Sequence, residues 1–198
     1  MRTGTRIVLV ALAAGVLGAA LGFAVNGPGP LLRTEWGQRA VQAAYSAVSP
    51  PAPEGLAIAR RGERVPPISL PGLDAARIDL PAQFAGRPLL VNVWASWCGP
   101  CIGEMPELER YAREQDANGT QVVGIALDDA DAVRAFLQRV PVSYPIALDT
   151  PGPRDAGVQL GNRRGVLPYS VLVSADGRLL KQRLGPFEPG EIERWAHQ

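Results

Sequence analysis

The chain has 198 residues, 46% hydrophobic and 20% charged, which is enough apolar material for one globular domain with a further segment appended. Lys+Arg number 20 against Asp+Glu 19, a formal net charge of +1. That balance argues against a nucleic-acid partner, which needs an excess of basic residues. Proline and glycine cluster in residues 26–30, 50–55 and 62–72, where they mark linkers rather than disorder of the whole chain.

MRTGTR opens the chain, and an uncharged apolar run follows from Ile7 to Val25. As a helix rising about 1.5 Å per residue it reaches roughly 28 Å, close to the ~30 Å hydrocarbon core of a bilayer. A cleaved signal has an apolar stretch of only about 7 to 15 residues. Residues 1–25 are therefore read as a transmembrane anchor, in preference to a long signal peptide cut before Val25, where Gly22 and Ala24 supply the small side chains. A buried core helix fits least, because only a basic hexapeptide precedes the run. Arg2 and Arg6 hold the N-terminus inside and place residues 26–198 outside. On either membrane reading the body is exported.

Residues 26–61 read as an amphipathic helix followed by a Pro-rich tether. In LLRTEWGQRAVQAAYSAV, residues 31–48, Leu32, Trp36, Ala40, Ala43, Ala44 and Ala47 recur at helical spacing. That face is expected to pack on the main domain, with the membrane interface as the alternative. SPPAPEG, residues 49–55, then breaks the helix.

From Gly62 onward strands and helices alternate. RVPPISL and RIDL are short extended pieces, and PLLVNVWA, 88–95, is a continuous apolar run suited to a strand covered on both faces. CIGEMPELERYAREQ reads as a helix, QVVGIALD as a strand, and DADAVRAFLQRV as a helix with Val133, Phe136, Leu137 and Val140 along one side. YPIALD predicts a further strand and PRDAGVQLG a short helix. YSVLVSADGRLLKQRL reads as a hairpin turning at Asp176 and Gly177, and EPGEIERWAHQ as a closing helix. The expected fold is α/β: a central mixed sheet of four to five strands, flanked by helices and spanning residues 62–198.

Both cysteines, Cys98 and Cys101, lie at the junction of the buried strand and the helix behind it. A structural zinc site needs about four ligands, and the sole histidine is His197 at the far end. No metal site is expected. A permanent disulfide over so small a loop removes little entropy from the unfolded chain. Reversible redox chemistry is the better reading. With the helix starting near Cys98, unpaired amides and the macrodipole favour its thiolate, making Cys98 the nucleophile. Cys101, one turn deeper, then attacks the mixed disulfide. Gly99 and Pro100 keep the turn compact, Trp97 is either an apolar wall for the site or a packing residue, and Pro106 should bend the helix.

WASWCGPC after an apolar strand, GEMP behind it and GVLPYSVL before a hairpin resemble the TlpA/ResA branch of the thioredoxin-like proteins. These are membrane-anchored bacterial thiol-disulfide oxidoreductases of the extracytoplasmic space, and the resemblance covers roughly residues 62–195. It implies a thioredoxin-like fold and a periplasmic or extracytoplasmic domain on the bacterial inner membrane. It also implies that Cys98 attacks and Cys101 resolves. Pro168 would be a cis proline facing the cysteines, with the backbone of Leu167 pairing to an extended substrate segment. Leu167 departs from the Thr or Val often found there. Where thioredoxin has a buried Asp, this chain has Asn92, expected to bridge backbone groups. Glu104 matches an acidic residue that modulates thiol ionisation, able to raise the pKa of Cys101 or to take its proton; an ordinary helix-start glutamate is the plain alternative.

The expected function is reduction of disulfides in exported proteins, with apocytochrome c thiols or copper-site thiols among the candidate targets. The resemblance implies re-reduction by a membrane electron donor of the DsbD or CcdA type. No prosthetic group is expected, since no glycine-rich phosphate loop follows a strand. Two rivals share the cysteines: a disulfide-donating oxidase, and a Cu(I)-binding chaperone. The chaperone is disfavoured by the Gly-Pro spacing and by the lack of His or Met nearby, Met105 excepted.

Overall fold

The computed structural model describes residues 34–49 and 51–197. The expected anchor, residues 1–25, lies outside them; among the described residues no helix is long and apolar enough to cross a membrane. In chain order the elements are α1 (Glu35–Ala47), β1 (Ile68–Pro71), β2 (Arg77–Leu80), a 3-10 turn (Ala82–Phe84), β3 (Leu89–Trp94), α2 (Gly99–Glu114) and β4 (Gln121–Leu127). There follow α3 (Ala130–Leu137), β5 (Ile146–Asp149), α4 (Ala156–Gln159), β6 (Tyr169–Val173), β7 (Leu179–Leu184) and α5 (Glu191–Ala196).

Every residue of β3 is buried, so the strand occupies the middle of a five-stranded sheet of order β5-β4-β3-β6-β7. β4 pairs with it in parallel and β6 antiparallel. The mixed sheet is the expected one. Alternation along β3 sends Leu89, Val91 and Val93 into one core layer and Leu90 and Trp94 into the other. The second layer is closed by α2, α3 and α5 through Met105, Leu108, Phe136, Ile192 and Trp195. On the first, β1 and β2 form their own two-stranded antiparallel sheet and pack with the short α4. The predicted extended pieces thus form a sheet of their own, joined to the main one by the bridge between Gly72 and Ala147.

Two local expectations change. The stripe Trp36, Ala40, Ala43, Ala44 and Ala47 on α1 is exposed, Trp36 at 79%, whereas Gln38 is buried. That stripe faces solvent among the described residues, and its alanines offer little apolar area. The last stretch of the tether is also pinned rather than loose. Ala59 is buried, its N–H donates to the Gln159 carbonyl at 2.7 Å, and the Gly62 N–H donates to the Leu179 carbonyl at 2.8 Å.

Gly124 lies opposite Asn92 across the β3–β4 ladder. A Cβ there would stand 2.7 Å from Ile146 Cδ1 and 3.0 Å from Trp94 Nε1, beside the ring pair of Trp94 and Phe136 at 5.3 Å. Gly124→Ala is expected to lower the unfolding free energy in urea by about 1–3 kcal/mol, the usual cost of overpacking. An unchanged midpoint would mean that the Trp94 layer yields freely.

Candidate active site

The chain leaves β3 at Trp94 and turns through Ala95–Trp97 into α2. Ser96 fixes that turn: its N–H and hydroxyl donate to Asp128 Oδ2 at 2.9 and 2.6 Å. Cys98 is the N-cap of α2, in extended backbone conformation, and its sulfur accepts the Cys101 N–H at 3.3 Å. A side-chain acceptor at this position satisfies one of the helix's unpaired amides. No acidic residue occupies the first turn to oppose a thiolate. Pro100 sits there without loss, since its missing N–H would have had no helical partner. Cys98 and Cys101 are joined by a disulfide, with Cα atoms 5.3 Å apart.

Cys98 is 6% exposed and Cys101 fully buried. Cys98 is thus the more accessible of the two. Trp97, 67% exposed, and exposed Gly99 and Pro100 form a rim around Cys98. Trp97 is thus a surface side chain rather than a packing one. The Leu167–Pro168 bond is cis, and the β3–β6 register, in which Val93 faces Tyr169, sets Pro168 level with Trp94 at the end of the sheet where α2 begins. Pro168 is buried, and half-buried Leu167 packs against the layer that contains both cysteines. Leu80–Pro81 is cis as well, a feature nothing in the sequence pointed to. Pro106 lies inside α2, which continues through it.

Glu104, one turn beyond Cys101, is 2% exposed. Its Oε1 accepts from Asn92 Nδ2 at 2.7 Å and its Oε2 from the Phe187 N–H at 2.9 Å. Burial raises its pKa to about 7, against the lowering pull of these two donors and of the Arg183 guanidinium. An exposed helix-start glutamate would do none of this. Asn92 corrects an expectation: its side chain bonds no backbone group but bridges Glu104 and Ser170 Oγ, the latter at 3.0 Å. Buried Arg183 is held by Glu191 at 2.8 Å and by the Pro186 carbonyl at 2.7 Å, and lies 4.6 Å over the Phe187 ring. The segment after β7 is tied to α2 again where Gly190 N–H donates to Glu107 Oε1 at 2.6 Å and Arg110 pairs with Glu193.

Ser170, Asp128, Arg183 and Phe187 were not singled out from the sequence. Ser170 had a signal: it and Asn92 are the polar residues in LLVNVW and in YSVLV, and the antiparallel register places them opposite each other. Phe187 had none, because it contributes a backbone N–H.

The sequence profile described as Redoxin matches residues 60–196. Over 135 residues the chain is 35% identical to the thiol:disulfide interchange protein DsbE of Allochromatium vinosum, covering 67% of this chain and 70% of that one. It is 26% identical over 137 residues to the thiol-disulfide oxidoreductase ResA of Bacillus subtilis, covering 69% and 74%. A solved thiol-disulfide oxidoreductase from Bacteroides fragilis superposes with a TM-score of 0.58 at 26% identity, covering 67% of this chain and 96% of that one.

A carboxyl whose pKa rises on folding binds its proton more tightly in the folded state, so its stabilising contribution is full below the unfolded value and is lost as pH rises through the folded one. For Glu104 the window runs from 4.5 to about 7, and at about 1.4 kcal/mol per unit the loss is about 3 kcal/mol. Unfolding of the oxidised protein should become easier by that amount across the window, and Glu104→Gln should remove this component. Identical pH slopes for the two proteins would show that Glu104 does not carry it.

Proposed function

This chain belongs to the redoxin family, and from that premise we propose that its dithiol reduces disulfides of exported proteins on the outer side of a bacterial inner membrane. It has a thioredoxin-like α/β fold and is a thiol-disulfide oxidoreductase acting through Cys98 and Cys101. The carrying observation is the sulfur of Cys98 at the N-cap of α2, with Cys101 and the buried carboxyl of Glu104 stacked behind it on the same helix.

In the reducing direction the Cys98 thiolate attacks one sulfur of the target disulfide. A mixed disulfide forms and the first target thiolate leaves, taking a proton. Glu104, near half-ionised at neutral pH with its pKa at about 7, accepts the Cys101 proton. The Cys101 thiolate then attacks Cys98 Sγ, closing the Cys98–Cys101 disulfide and releasing the second target thiolate. Two electrons pass from the dithiol to the target. An extended target segment would lie along the Leu167 backbone and over exposed Trp97, with Gly99 and Pro100 leaving room beside the sulfur.

Export and anchoring rest on the apolar run from Ile7 to Val25 and its basic flank. Turnover in that location requires a membrane donor of the DsbD or CcdA type to re-reduce the disulfide. The direction of electron flow follows from the reduction potential, about −270 mV for reductants such as thioredoxin and about −120 mV for strong oxidants. Equilibration in dithiothreitol and glutathione buffers, read by tryptophan fluorescence, should give a value below roughly −220 mV on that scale. One near −120 mV would reverse the direction. Cys101→Ser should accumulate mixed disulfides with target proteins and Cys98→Ser should not. Equal trapping by the two variants would overturn the assigned order of attack.

A further inference from the structure

Asn92 is fully buried in β3 and stands opposite Ser170 of β6 in the ladder. Its Nδ2 donates both to Glu104 Oε1 at 2.7 Å and to Ser170 Oγ at 3.0 Å. Its Oδ1 is buried without a hydrogen-bond partner. An amide presents two N–H donors on one side and a carbonyl acceptor on the other, and a half-turn about χ2 exchanges them with little change of shape. The two oxygens of Glu104 are not equivalent in this setting. Oε2 accepts from the Phe187 backbone N–H, a donor that cannot reverse. A proton arriving on the carboxyl is therefore held on Oε1, the oxygen that faces Asn92. There an N–H donor opposes it, while a carbonyl would receive it.

We propose that Asn92, hinged on Ser170, is a positioning residue for proton transfer at Glu104: its amide donates to the ionised carboxylate and turns over to accept from the protonated one. The proposal rests on Glu104 being the base for Cys101. The proton leaves Cys101 Sγ and arrives on Glu104 Oε1, and the electron pair left on sulfur becomes the nucleophile of the resolving step. After turnover Oδ1 accepts from Glu104 and from the Ser170 hydroxyl, which rotates from acceptor to donor. The carboxyl keeps its place in both protonation states. An aspartate at position 92 offers no N–H to the anion, and an apolar residue offers neither partner.

Other groups also face Glu104. Arg183 from β7 lowers the Glu104 pKa through its charge and is bound to Glu191. The Tyr144 phenol, before β5, is pushed well above its ordinary pKa by burial and by the charges of Glu104 and Glu109. On α2 itself Cys101 is the proton source, and the loop after β7 contributes the Phe187 N–H.

The test uses the full-length protein carrying a Cys98 mixed disulfide with 2-nitro-5-thiobenzoate. Its release by Cys101 is followed against pH in wild type, Asn92→Ala, Ser170→Ala, Glu104→Gln and the Asn92→Ala/Glu104→Gln pair. In wild type the rate should rise through a midpoint near the Glu104 value of about 7. Asn92→Ala removes one donor from a charged acceptor and should move that midpoint upward by about one pH unit. Ser170→Ala frees the hinge and should move it in the same direction by less, which keeps the test available if the alanine at 92 fails to fold. In the Glu104→Gln background Asn92→Ala should leave the profile unchanged. If Glu104→Gln abolishes the wild-type midpoint while Asn92→Ala and Ser170→Ala leave it in place, the proposal fails and the base reading stands. If Glu104→Gln leaves the midpoint in place, both fall together.

Discussion

The molecule is organised by the burial of β3 on both faces. A strand with no solvent-facing side must be paired on both edges and covered on both surfaces. That requirement recruits β4 and β6 as neighbours, three helices on one face, and the small β1–β2 sheet with α4 on the other. It also sets the direction in which the chain emerges. The strand delivers Trp94 to the end of the sheet, and the turn pinned by Asp128 carries Cys98 onto the first unpaired amides of α2. The reactive sulfur thus meets a backbone N–H donor at the end of a strand buried along its whole length.

The same burial creates a second problem, which Glu104 illustrates. A carboxyl facing the sheet from α2 loses water and is penalised as an anion. Two donors and a nearby guanidinium offset part of that penalty. The balance leaves the group able to change protonation near neutrality, where a fully compensated ion pair would stay charged and an uncompensated one would stay neutral. The Arg183–Glu191 pair contrasts with it: a bidentate contact of opposite charges, the Arg183 side chain 2% exposed, serves as fixed scaffolding.

Much of this was legible in the letters. β3 and β4 announce themselves as predominantly apolar runs, α3 by its spacing of Val133 and Phe136, the β6–β7 hairpin by Asp176-Gly177, and the redox pair by its position where a strand gives way to a helix. The cis geometry at Pro168 was legible only through family resemblance, and that at Leu80–Pro81 not at all. What stayed hidden depends on tertiary partners. Asn92 shows polarity in an apolar strand but does not say that its partners sit on α2 and β6. A backbone N–H such as that of Phe187 has no letter. The alanine stripe of α1 reads alike whether it packs or faces water, because helical periodicity records only which residues share a side.

The contacts from the loop after β7 to α2 bear on when the redox site comes into being during synthesis. Phe187 lies 83 residues beyond the carboxyl it partners, and Gly190 the same distance beyond Glu107. A nascent chain that has emerged only as far as β5 already holds both cysteines but lacks this closing segment and the strand that supplies Ser170. Glu104 then lacks the Phe187 N–H, and Asn92 lacks Ser170. The partners of Glu104 are completed only once the segment after β7 is present, so both cysteines exist in the chain before the carboxyl behind them is held in place.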